Sequence, residues 1–420
     1  MESDSVNTEI EVKFVTKQEQ YAVPDNPFAV QASMCPSDLN SLINTLLKDT
    51  NSSIGRLVDF DFVVCGELLV SSLAEHLNEK SISTEDSLEV EYLERFPSPT
   101  PKDCLMHDDW VSAVEAKGNW ILSGCYDNSI HIWTNKGVHK LAIPGHTSPV
   151  KAVSWVSVQN NQGVFVSGSH DQSAMLWSWD IDANSVECIV TCRGHEKGVQ
   201  CLSVSADGLR FATGGWDYNI CLWTTSFSDE DIVPAKKRSK PEHGKAREPI
   251  TTLKGHKEAV GGVVWMDHNT LLSSSWDHLL KLWDCELGGI KQEIAGNKAF
   301  FDVDYSHLNR TILTASADRH IRVYDPRSTD SIVKMTYTSH QGWVQSVRWS
   351  KTVDTLFLSA GYDGTVKLWE TRSPRTPLYE LTGHEDKVLC CDWSEPMFLI
   401  SGGCDNTLRI FKSKHALTKA

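Results

Sequence analysis

Asp363-Gly364-Thr365-Val366-Lys367-Leu368-Trp369 is the stretch that decides the fold of this 420-residue chain. Thr365 to Trp369 alternates polar and apolar side chains, the period of two that belongs to a strand, and Asp363 falls in the turn before it. The same six-residue step from aspartate to aromatic recurs in Asp127 and Trp133, Asp171 and Trp177, Asp217 and Trp223, Asp277 and Trp283, Asp318 and Tyr324, and Asp405 and Phe411. A hydroxyl residue stands four positions ahead of each aspartate: Ser123, Ser167, Thr213, Ser273, Thr314, Ser359 and Ser401. Some 20 to 25 residues before most of them comes a histidine, namely His107, His146, His195, His256, His340 and His384. The intervals between aspartates are 44, 46, 60, 41, 45 and 42, so the period is a little above 40 residues.

The one long interval locates an insertion, Thr224 to Pro249, expected as a solvated charged loop between the third and fourth repeats. It carries Ser228-Asp229-Glu230-Asp231, whose serine is a candidate phosphorylation site, and then a basic run. Lys236, Lys237, Arg238 and Lys240 read as a nuclear-import signal or an RNA-phosphate contact, set against the plainer reading of a charged surface loop.

Composition changes ahead of the repeats. Residues 1–99 hold 18 acidic and 6 basic residues, a net of −12, whereas the rest of the chain is close to balanced. All 15 tryptophans lie at or after Trp110, and Pro97-Ser98-Pro99-Thr100-Pro101 reads as a stiff connection. Three segments follow: a domain over 1–96, a proline-containing linker over 97–106, and the repeats over 107–420. The overall charge of −15 speaks against a protein whose whole surface grips nucleic acid. The acidic amino terminus and the lack of a long apolar run lead to the expectation of a soluble intracellular protein. The 12 cysteines form no C-x-x-C pair and are expected as reduced, structural side chains.

In the first segment, Glu9 to Lys17 alternates as a strand with Tyr21-Ala22-Val23-Pro24 as its expected hairpin partner. Leu39, Leu42, Ile43, Leu46 and Leu47 make one stripe of a helix capped by Ser37. Strands at Phe60 to Val64, Leu68 to Val70 and Leu88 to Tyr92, with a short helix over Leu73 to Leu77, complete a β-β-α-β-β-α-β order that resembles ubiquitin.

The recurring histidine, hydroxyl, aspartate and tryptophan resemble WD40 repeats, so the fold class expected is mainly β: a seven-bladed WD40 β-propeller preceded by a small α+β ubiquitin-like domain. One four-stranded sheet cannot bury both faces alone, and seven packed radially can. The resemblance implies that Asp127, Asp171, Asp217, Asp277, Asp318, Asp363 and Asp405 pin strands within blades. His, Ser and Asp recurring together invite a nucleophilic triad, yet a triad is needed once and this set appears about seven times. Blade five departs, with Gly296-Asn297 for Gly-His and Tyr324 for tryptophan, and so is either looser or pinned by other contacts.

Pro27 to Val30, Phe60 through Leu69, Ser83 to Tyr92 and the propeller with its basic insertion together resemble the WD-repeat ribosome-biogenesis factors of the PeBoW complex, which carry an NLE-type ubiquitin-like domain. Seven repeats favour this family over the longer, eight-bladed Notchless type. What the resemblance implies is a non-enzymatic scaffold for 60S rRNA processing and pre-ribosome maturation in the nucleus, in nucleolus and nucleoplasm. Its implied partners are a Bop-type WD-repeat protein, pescadillo, the pre-60S particle with an open question of rRNA contact, and the AAA ATPase midasin. Midasin would hold Mg²⁺ with one open position, completed by Glu85 or by its neighbour Asp86, and pull the factor off the particle. No intrinsic metal or cofactor is expected, and no P-loop, nucleophile elbow or dinucleotide fingerprint points to an enzyme. The alternative class is a substrate-recognition adaptor in a ubiquitin pathway. The domain cannot itself be a conjugated modifier, because Glu94-Arg95-Phe96-Pro97 runs into the linker where a free Gly-Gly tail would be required.

Overall fold

The computed structural model describes residues 9–50, 57–80, 82, 87–226, 245–328 and 332–413. They divide into two compact units, Met1–Pro97 with Glu370–Leu378, and Ser98–Trp369 with Tyr379–Ala420. Among the described residues no helix is long and apolar enough to cross a membrane.

The first unit follows from five amphipathic strands and a leucine stripe. Strand β1 (Glu9–Val15) pairs antiparallel with β2 (Phe28–Gln31), in the register Ile10 to Val30. Helix α1 (Pro36–Thr50) then places Leu39, Ile43 and Leu47 in the core. The hairpin of β3 (Phe60–Val64) and β4 (Glu67–Leu68) turns on Cys65 and Gly66, both with positive φ. That is the two-residue turn whose twist suits a hairpin, and glycine supplies one of its left-handed residues without strain. Helix α2 (Leu73–Lys80) leads to β5 (Leu88–Glu94), which runs parallel to β1 and antiparallel to β3. The resulting order, β2-β1-β5-β3-β4, is the ubiquitin-like arrangement.

Two sequence expectations are corrected here. The partner of the first strand is Phe28–Gln31, because Glu19–Tyr21 closes a single 3₁₀ turn that buries the Tyr21 ring edge-on against Phe60 at 5.2 Å. Helix α1 starts at Pro36 ahead of Ser37, since proline lacks only an N–H that the first turn leaves unbonded anyway. Asp38, in place of Ser37, provides the cap by accepting the Cys35 N–H at 3.0 Å.

The second unit is built of seven antiparallel sheets of four strands each, one of them with a fifth added at its edge. Their first strands are Val111–Lys117, Val150–Gln159, Val199–Val204, Val260–Trp265, Phe300–Tyr305, Val344–Trp349 and Val388–Asp392. Each packs against the next, and the seventh returns to the first, which closes the ring. Alternation within the strands separates two buried faces: Lys281, Lys367 and His131 occupy polar positions and are nonetheless buried. A blade has a neighbour on either side, so its polar face meets another blade in place of water.

The linker reading over 97–106 is corrected from Thr100 onward. Strand β6 (Thr100–Met106) pairs antiparallel with Thr407–Lys412 and supplies the outer strand of the seventh blade, with Leu105 opposite Leu408. Its one proline, Pro101, suits an outermost strand, where a missing N–H can face away from the ladder. The insertion is also more than a loop. Lys245–Arg247 forms the fifth strand of the second sheet, parallel to Ser185–Arg193. Arg247 is buried there and donates to the carbonyls of Thr224 and Ser226 at 2.6 and 2.8 Å.

Candidate functional site

Four of the seven blades are pinned by a relay of donors that runs inward from a tryptophan. In blade two the Trp177 Nε1–H donates to Ser167 Oγ at 2.9 Å, and the Ser167 hydroxyl donates to His146 Nε2 at 2.7 Å. The remaining ring proton, on His146 Nδ1, is then directed at Asp171 Oδ2, 2.8 Å away. Asp171 also accepts from the Thr147 N–H and from Ser173. Burial would raise this carboxyl, but the hydrogen bonds it accepts from His146, Ser173 and Thr147 hold it down at about 2. The glycine before this histidine has a steric cause: a Cβ on Gly145 would lie 2.5 Å from the Trp177 ring.

The same relay links His195, Asp217, Thr213 and Trp223, then His256, Asp277, Ser273 and Trp283, and then His340, Asp363, Ser359 and Trp369. Blade seven keeps His384, Asp405 and Ser401 but ends on Phe411, which has no N–H to donate. These sets have the connectivity of a nucleophilic triad without its accessibility. Ser167 is fully buried and its oxygen accepts from an indole, so no substrate atom reaches it.

Two blades depart. In blade five the Arg322 guanidinium takes the place of the histidine, bonding Asp318 at 3.1 and 2.5 Å, so this blade is pinned by an ion pair. In blade one His107 still bonds Ser123 at 2.9 Å, while Asp127 is taken up by Ser129 and His131. Burial, reinforced by the neighbouring His131, pushes His107 down to about 4, so it is neutral.

Sequence reading missed a second set of carboxylates. Glu115, Asp304 and Asp392 stand at the fifth position of their inner strands, and each accepts the backbone N–H of the sixth residue in the next blade: Trp155 at 3.1 Å, Trp349 at 2.7 Å and Ala116 at 2.9 Å. They join blade one to two, five to six and seven to one. Their signal was available as an acid in an otherwise apolar run. Burial, with the like charge of Asp392, pushes Glu115 up to about 7.

The loop implied for Mg²⁺ completion joins α2 to β5. Its start is fixed: the Ile82 N–H donates to the Leu77 carbonyl at 3.0 Å, and Lys80 pairs with Glu67 at 2.6 Å. Glu85 and Asp86 lie outside the described residues, as do Ser228 and the basic run Lys236, Lys237, Arg238 and Lys240.

Comparison with known proteins adds the following. Residues 10–77 match the NLE (NUC135) domain, and seven segments between residues 101 and 412 match the WD domain, G-beta repeat. A protein of Aedes aegypti named "Ribosome biogenesis protein WDR12 homolog" is 55% identical over 412 residues, covering 97% of this chain and 96% of its own length. Proteins of the same name in Drosophila sechellia and Culex quinquefasciatus are 54% and 52% identical, over 100% and 97% of this chain and 99% and 96% of their own.

Proposed function

Because the chain belongs to the WDR12 family of ribosome biogenesis proteins and carries an NLE domain followed by seven WD40 repeats, we propose that it is a non-enzymatic scaffold of large-subunit (60S) maturation. The observation that carries this reading is the match to relatives so named over nearly the full length of both chains. On this reading the propeller docks a Bop-type WD-repeat protein, which also holds pescadillo, and so joins the PeBoW complex on the pre-60S particle. The basic run at Lys236 to Lys240 carries the chain into the nucleus, and it acts in nucleolus and nucleoplasm.

The ubiquitin-like unit is the release handle. Midasin's Mg²⁺ is a hard, octahedral cation that prefers oxygen, and a monodentate carboxylate completes its shell. Glu85 takes that role in the proposal, with Asp86 one methylene shorter and one residue away. A hydrogen-bonded sheet behind the connection transmits a pull better than a loose tail, and β5 lies at the middle of that sheet.

The test is binding of the whole chain to purified midasin with and without Mg²⁺. Glu85→Ala is expected to abolish the metal-dependent binding while the Bop-type partner is retained. Normal midasin binding by both Glu85→Ala and Asp86→Ala ends the metal-ligand assignment.

A further inference from the structure

Around its aspartate, blade one carries two side chains that the other six blades lack at those places. The residue two before the aspartate is Cys125, where the others have Ser169, Gly215, Ser275, Ser316, Gly361 and Gly403. The residue four after it is His131, where they have Met175, Cys221, Lys281, Arg322, Lys367 and Arg409. The hairpin of Trp120–Cys125 and Ser129–Thr134 sets Ser123 opposite His131. Cys125 is two residues on from Ser123, so its thiol and the His131 imidazole project from one face of the hairpin, and Asp127 lies in the turn between them.

The aspartate of this blade is also released from the bond it makes elsewhere. In blades two, three, four, six and seven the histidine Nδ1 meets the aspartate. In blade one the two part: His107 bonds Ser123, and Asp127 turns to Ser129, whose N–H it accepts at 2.8 Å. Among the described residues, Cys125 Sγ, a carboxylate oxygen of Asp127 and a ring nitrogen of His131 come to lie within 4.8 Å of one another. Asp127 Oδ2 and His131 Nε2 are 3.6 Å apart. Bonds of about 2.0–2.3 Å to a tetrahedral ion set its ligand atoms about 3.5 Å from each other, so closure by about 1 Å brings the three to bonding distance. His131 is held as metal-binding imidazoles are. Its Nδ1 faces His139 Nε2 at 3.2 Å, and an Nδ1–H donated there leaves the Nε2 lone pair for an ion.

We propose that Cys125, Asp127 and His131 bind one zinc ion in the turn of blade one, with water as the fourth ligand and His139 as a positioning residue. A thiolate, an imidazole and a carboxylate form a borderline-soft set that suits Zn²⁺ and is a poor match for Mg²⁺ or Ca²⁺, which take oxygen ligands. Cys125 is then the exception to the expectation of purely structural thiols, and its spacing to His131 is not one of the paired motifs by which zinc sites are read in a sequence. On binding, the Cys125 thiol gives up its bond to the Asp109 carbonyl, 3.3 Å away, and releases its proton to water. The ion enters past Asp127, whose side chain is 22% exposed against 9% for His131. Once bound it ties the turn to both strands of the hairpin, which is what the histidine–aspartate bond does in the relay blades.

The test uses the whole chain, stripped with a chelator and titrated with Co²⁺ and then Zn²⁺ as the only added metals. Cobalt held by a thiolate gives a sulfur-to-metal charge-transfer absorption in the near ultraviolet, which nitrogen and oxygen ligands do not. One equivalent of Co²⁺ is expected to produce that absorption, and Zn²⁺ to abolish it by displacement and to raise the melting temperature. Cys125→Ser places at this position the residue that three other blades carry, and a melting temperature equal to that of the metal-free parent establishes that it folds. It is expected to lose both the absorption and the zinc-dependent rise in melting temperature. Cys104→Ser removes an exposed thiol and is expected to match the parent. His139→Ala is expected to keep the absorption and to bind zinc about 10–100-fold more weakly, and undiminished affinity overturns its positioning role. The site itself is overturned if the parent shows no thiolate absorption, if Cys125→Ser retains it, or if Zn²⁺ leaves the parent's melting temperature unchanged.

Discussion

Replacing Asp277 by alanine isolates what one relay contributes to the propeller. The carboxylate accepts three donors: His256 Nδ1–H at 2.8 Å, the Lys257 N–H at 2.9 Å and the Leu279 N–H at 3.0 Å. The His256 side chain is wholly buried and that of Asp277 is 4% exposed, so water does not replace what the carboxylate accepts from the ring. A buried donor left without a partner costs about 1–3 kcal/mol, and bonds to an ionised acceptor lie at the upper end of that range. The histidine is stranded completely, whereas the two turn amides recover part of their loss from solvent. The sum is about 3–5 kcal/mol. In a domain of this size each kcal/mol moves the melting temperature by about 2 °C, so Asp277→Ala is expected to melt about 6–10 °C below the parent. Asp277→Asn keeps an acceptor oxygen and is expected to fall between the two. The control is Asp325→Ala, which removes an ion pair to a largely exposed Arg327 and costs under about 0.5 kcal/mol. Differential scanning calorimetry of the full chain makes the comparison, and if Asp277→Ala melts with Asp325→Ala the relay does not pin the blade.

Four further outcomes follow from the same geometry. Asp318→Ala leaves the buried Arg322 charge without its partner and is expected to cost about 3–5 kcal/mol by urea denaturation, whereas a loosely pinned blade five would show almost no change. Asp171 and Asp277 are held at about 2 against an ordinary carboxyl near 4, so their contribution is complete above pH 4 and is lost as pH falls through 2; Asp277→Asn is expected to flatten that acid limb of a stability-against-pH curve. Glu115 shifts the other way, so the parent loses stability as pH rises from the ordinary carboxyl range through about 7; Glu115→Gln is expected to match the parent near pH 5 and to exceed it at pH 8 by about 2 kcal/mol. A chain beginning at residue 107 lacks β6 and bares the Thr407–Lys412 edge, so it is expected to aggregate on heating well before one beginning at residue 98; equal behaviour would mean that β6 does not close the ring.

The repeats were legible because one relay recurs at fixed spacing, and because Asp, His, hydroxyl and tryptophan are each needed for one bond. Where a different side chain makes the same bond, spacing is silent. Arg322 replaces a histidine that would sit more than twenty residues earlier in the chain, and only its distance to Asp318 identifies it. Strand β6 was read as linker because Pro97, Pro99 and Pro101 at and before its start dominate the local pattern, while its reason to be a strand lies about three hundred residues away in Thr407–Lys412. The carboxylates of Glu115, Asp304 and Asp392 were missed for a related reason, since their partners belong to the next blade and not to their own turn. The first strand's partner failed through Tyr21, whose aromatic ring suits a strand but is claimed by the core as part of a turn.

On the proposed reading the propeller holds the chain on its particle while a carboxylate of the ubiquitin-like unit lets it be removed. Replacement of the cellular copy by Glu85→Ala, followed by sedimentation of particles and measurement of precursor rRNA, addresses both halves at once. The variant protein is expected to remain on pre-60S particles and large-subunit precursor rRNA to accumulate. Normal precursor levels, with the variant leaving the particles as the parent does, would contradict it.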